Sequence, residues 1–99
     1  SRSGCPIMNT AIESDDTMPF LKTEVKKSFK AWSDKIARII DEGKSKNEIL
    51  DYVNPSDYSY LFIMLIEGGI LISKTTDDRN HLFNALDRIT KIIDTELIK

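Results

Sequence analysis

Glu67 is the residue whose surroundings most demand a chemical explanation. It follows the six apolar residues 61–66 and precedes the pair Gly68-Gly69. A carboxylate in such company is costly to bury unless it is paired or hydrogen-bonded. Two readings are open: a group at a wet rim or bonded to a neighbouring helix, or a group facing a pocket or interface. Acid–base catalysis would need a second well-placed group, and the candidates are few. His81 stands among polar and charged neighbours and reads as a solvated side chain. Cys5, the single cysteine, reads as a small buried hydrophobe, and Asp15-Asp16 as helix capping. One cysteine and one histidine leave no ligand set for a metal site, and one cysteine allows no internal disulfide. Nucleophile-elbow, phosphate-loop, zincin and dinucleotide-binding motifs are absent. No catalytic residue, metal or cofactor is expected.

Elements that could position Glu67 follow from the apolar spacing. Leu21, Val25, Phe29, Trp32, Ile36, Ile39 and Ile40 recur at helical steps, which predicts a helix over 19–42 with Gly43 as its stop. Asn54-Pro55 caps and opens a second helix over 55–75, apolar nearly all round from 61 to 72 and therefore covered on more than one side. Leu82, Leu86, Ile89, Ile93 and Leu97 mark a third helix over 79–97. Shorter helices are predicted over 5–14 and 46–53. No strand alternation is visible, so the fold class is an all-α bundle of three long and about two short helices.

The 99 residues form one domain, 1–99. An apolar share of 40% is too high for a disordered chain, and a net charge of -2 argues against a free-standing nucleic-acid binder. The apolar run 61–72 is shorter than the about 20 residues a bilayer requires, so no membrane span is expected.

The ordered set of segments resembles the C-terminal domain of TetR-type transcriptional regulators. Gly4-Cys5, followed by Asn9, Ala11 and Glu13, is similar to that domain's opening. The long helix with Trp32 is similar to its central helix. Asn54-Pro55 through Glu67-Gly68-Gly69-Ile70-Leu71-Ile72-Ser73-Lys74 is similar to its next long helix, and Arg79 to Leu97 to its last.

The resemblance implies a cytoplasmic, non-enzymatic domain that binds a small hydrophobic effector and forms a homodimer. Operator DNA would be bound only through an N-terminal helix-turn-helix head. No such head precedes Gly4, so the chain reads as a fragment of a longer regulator. The family's effector position, carried onto this chain, selects Met8, Ile12, Phe29, Trp32, Ile36, Leu61, Met64 and Glu67. For the dimer, the second long helix is apolar on too many sides for a monomer of this size. Gly68 and Gly69 permit close helix approach, and Ile72, Leu82, Leu86, Ile89 and Ile93 supply the apolar surface. The rival readings are a helical dimerisation module without a ligand and a helical-bundle enzyme using Glu67.

Overall fold

The computed structural model describes residues 19–99. The predicted 5–14 helix, with Met8 and Ile12, lies outside the described residues. Three helices follow in chain order: α1 (Pro19–Ser45), α2 (Pro55–Thr76) and α3 (Asn80–Ile92). A π-helical turn, Ile93–Leu97, continues α3. Among the described residues there is no named strand, only an isolated antiparallel bridge between Ile49 and Ile98.

Helix α1 runs past Gly43, where the sequence predicts its end. It stops at Ser45 because Asn47 adopts the left-handed conformation, with φ of 63°. The Glu48 N–H then donates to the Gly43 carbonyl at 2.9 Å and the Asn47 N–H to the Lys44 carbonyl at 3.0 Å. These two bonds satisfy carbonyls that the helix end would otherwise orphan. Gly43 has a packing reason instead. A Cβ there would stand 2.5 Å from Ile49 Cδ1.

The predicted 46–53 helix does not form. Its backbone pairs with the C-terminus: the Leu50 N–H donates to the Leu97 carbonyl at 2.8 Å, and the Lys99 N–H to the Glu48 carbonyl at 3.1 Å. An eight-residue helix is marginal alone, and these long-range bonds give its polar groups other partners. Its apolar residues still face inward. Val53 joins Ile40, Phe62 and Leu97 as the buried core, with Ile36, Ile49, Leu50, Ile89, Ile92 and Ile93 packed around them.

Asn54 caps α2 as its type predicts, accepting the Ser56 N–H at 3.2 Å, and Pro55 occupies the first turn. The helix has 22 residues and is long and apolar enough, by length and composition, to cross a membrane. That revises the estimate from the run 61–72. Its packing is that of a bundle's middle helix, since both α1 and α3 lie against it. The neighbouring helices cover part of it, and Met64, Leu71 and Ile72 remain exposed.

Near the start of α2 the Tyr58 hydroxyl donates to Glu96 Oε1 at 3.0 Å, tying α2 to the π turn. That bond, with desolvation and the charges of Glu96 and Asp57, raises the phenol above its ordinary pKa of 10.0. A raised folded-state pKa lends stability below the unfolded value that is lost as pH climbs through the folded one. Tyr58→Phe should therefore cost about 0.5 kcal/mol near neutrality, the low end for a hydrogen bond because solvent screens it. It should also flatten the alkaline decline in the urea midpoint above pH 10. An identical decline in wild type and variant would show that the bond adds nothing.

Candidate functional site

The seam between α1 and α2 is marked by a buried polar contact, Ser33 Oγ to Ser59 Oγ at 2.8 Å. The two helices run in opposite senses, because the Lys44 ammonium at the end of α1 donates to the Val53 carbonyl just before α2. Ser59, Ile63 and Glu67 follow one another at steps of four, a row that winds about 40° around α2 at each step. All three are buried. Starting from the serine contact, the line leads away from the 46–53 turn and toward the N-terminal half of α1, where Phe29 and Val25 are half-buried.

Glu67 is 3% exposed, and neither carboxylate oxygen has a hydrogen-bond partner among the described residues. Of the two readings open from sequence, the wet rim and the bond to a neighbouring helix both give way to a carboxylate held in the interior with its acceptors unfilled.

The other residues selected for an effector site divide. Phe29, Trp32 and Ile36 are half-buried on α1, and Ile36 also packs against the core. Leu61 and Met64 are not on the line of Ser59, Ile63 and Glu67. Leu61 is half-buried, and Met64 is 62% exposed. At about 100° per residue, position 64 is turned about a quarter-circle from position 63 and position 61 about half a circle. Spacing fixes which residues share a face but not which way that face points. Ile63, Ser33 and Ser59 belong to the seam and were not selected. Their signal in the sequence is the four-residue spacing that joins Ser59, Ile63 and Glu67.

The residues selected for the dimer divide as well. Gly69 is buried inside the chain, where a Cβ would meet the Leu82 Cα and the Ala85 Cβ, each at 3.1 Å. At Gly68 such a Cβ would meet nothing within 4 Å among the described residues. Leu82 is half-buried against α2, and Ile89 and Ile93 pack onto the chain's own core. Ile72 and Leu86 are exposed, as are Met64, Leu71 and Phe83. The outward apolar surface thus comprises Met64, Gly68, Leu71 and Ile72 of α2 with Phe83 and Leu86 of α3.

At the α2–α3 corner an open hollow of about 450 Å³ is lined by Ile70, Ser73, Lys74, Asp77, Asp78, Arg79 and Leu82. Its polar groups hold the corner together. Ser73 Oγ accepts the Leu82 N–H, and Asp78 Oδ1 accepts the Asn80 N–H, both at 2.9 Å. No group of three or more histidine, cysteine, aspartate or glutamate residues converges among the described residues.

The family of tetracyclin repressor-like C-terminal domains matches residues 1–89. The chain belongs to the TetR family. A TetR transcriptional regulator from Chloroflexus aurantiacus J-10-FL is 30% identical, with a TM-score of 0.92 over 96% of this chain and 48% of that one. A TetR-family transcriptional regulator from Cytophaga hutchinsonii is 28% identical, with a TM-score of 0.88 over 92% of this chain and 46% of that one. No curated protein matches closely. The chain spans about half the length of each TetR regulator. The TetR resemblance and the all-α bundle expected from sequence are thereby established. A TetR C-terminal domain is regulatory and non-catalytic, and it is family membership that sets aside the enzyme reading.

Proposed function

We propose that this TetR-family domain binds a small hydrophobic effector at the α1–α2 seam and dimerises through the outward faces of α2 and α3. The effector would lie beside Phe29, Trp32 and Ile36, with Met8 and Ile12 as further contacts. The carrying observation is that half-buried aromatic side chains of α1 and a buried carboxylate of α2 without a partner among the described residues stand in the same half of this antiparallel helix pair. In a longer cytoplasmic regulator, an effector that prefers one arrangement of the dimer would shift the population toward it. Operator binding by an N-terminal head would then change by the same coupling free energy. The rival module without a ligand would leave the buried carboxylate without a role.

Trp32, the single tryptophan, reports directly on the site. Titration with 4-phenyl-1-butanol should shift its emission and saturate. Trp32→Ala, followed by calorimetry, should weaken binding about tenfold, a loss of about 1.4 kcal/mol, and leave the oligomeric state unchanged. Emission that does not respond to the alcohol, together with no heat of binding, would remove the effector reading.

A further inference from the structure

We propose that Glu67 makes this site selective for a hydrophobic ligand bearing a protonated amine; the inference rests on the effector reading above. The carboxylate is buried on α2, about two turns along the helix from the Ser33–Ser59 contact and one turn beyond the buried Ile63. Its oxygens are withdrawn from solvent and accept no hydrogen bond. An isolated carboxylate loses its hydration on burial and recovers it only from a donor or an opposite charge. Among the described residues no group donates to it. On α1, Lys30 is exposed and paired with Asp34 at 3.1 Å, and Lys27 is exposed and paired with Glu24 at 3.4 Å. On α3, Lys91 is paired with Asp87 at 3.3 Å.

What would complete the site is a small molecule with an apolar body and one cationic nitrogen. The body would rest against Phe29 and Trp32, and the aromatic faces would also favour a cation near them. The nitrogen would donate two or three N–H bonds, enough to engage both carboxylate oxygens. A neutral ligand of the same shape would fill the apolar space and leave the carboxylate only partly satisfied. An anionic one would place two like charges in a dry site, and the geometry would reject it.

The test compares three ligands that share a phenylbutyl body: 4-phenylbutylamine, 4-phenyl-1-butanol and 4-phenylbutyrate. Binding to the 99-residue chain is read by Trp32 emission and by calorimetry at one pH and ionic strength. The amine should bind at least about tenfold more tightly than the alcohol, and the carboxylate more weakly than either. Glu67→Gln, which keeps the shape and removes the charge, should bring the amine and alcohol affinities together. The wild-type ratio alone decides the matter if the variant does not fold. Equal wild-type affinities for amine and alcohol would overturn the selectivity while leaving the effector site standing. An amine preference that persists undiminished in Glu67→Gln would overturn the assignment to Glu67. No binding of any of the three would overturn both.

Discussion

Replacing Leu97 with alanine should destabilise the domain by about 2–5 kcal/mol, the usual cost of truncating a fully buried leucine. Leu97 is 2% exposed, the most deeply buried apolar side chain of the core. It arrives there through the π turn, whose Ile98 N–H donates back to the Ile93 carbonyl at 3.0 Å. An i→i+5 bond takes one more residue per turn than an α-helical one, so it resets the direction of the side chains that follow. Leu97 is thereby carried into contact with Ile40, Val53 and Phe62 while its carbonyl accepts the Leu50 N–H. Losing the side chain removes apolar contact and loosens that backbone pairing. Against a typical total stability of about 5–15 kcal/mol, the loss should be plain in urea denaturation. A loss below about 1 kcal/mol would mean that the core closes without this residue.

The second large effect concerns association. Leu86→Glu should convert the proposed dimer to monomer, weakening association about 100-fold or more, as removal of an interface hot spot does. Leu86 is exposed on α3, one turn beyond the exposed Phe83. An obligate interface there would cover on the order of 2,000 Å². Leu86 makes a cleaner probe than Ile93 or Ile89, because those two pack onto the chain's own core and a charge there would attack folding itself. Sedimentation velocity at micromolar concentration separates the states, with circular dichroism to show that the variant keeps its helices. A wild-type chain that sediments as a monomer, or a variant that remains a folded dimer, would rule this face out.

Local signals carried most of the fold. Asn54-Pro55 set the start of α2, and the apolar coverage of that helix foretold neighbours on two sides. What local signals could not carry was any decision made far away in the chain. The 46–53 segment has a helix-like spacing of Ile49, Leu50 and Val53, but its hydrogen bonds go to Leu97 and Lys99. The Gly43 stop failed for a similar reason, since that glycine makes room for Ile49 while Asn47 turns the chain. At the candidate site, the oddity of Glu67 was legible from its six apolar predecessors, whereas its lack of partners was not. Leu61 and Met64 share a spacing with the inward residues but lie on other sides of α2, because periodicity has no absolute phase until a neighbouring helix fixes it.

The pairing of the C-terminus with the 46–53 turn has a mechanical meaning. The 46–53 turn clamps one end of the α2–α3 hairpin, where Leu50 holds Leu97 and Glu48 holds Lys99, while Tyr58 and Glu96 tie the two arms to each other. Its other end is the Asp77–Asp78–Arg79 corner, held by short-range bonds within the hairpin. The hairpin is stiffest at that clamp, and α1 braces its α2 arm beyond it. Thermal displacement should grow along α3 from Leu97 toward the corner.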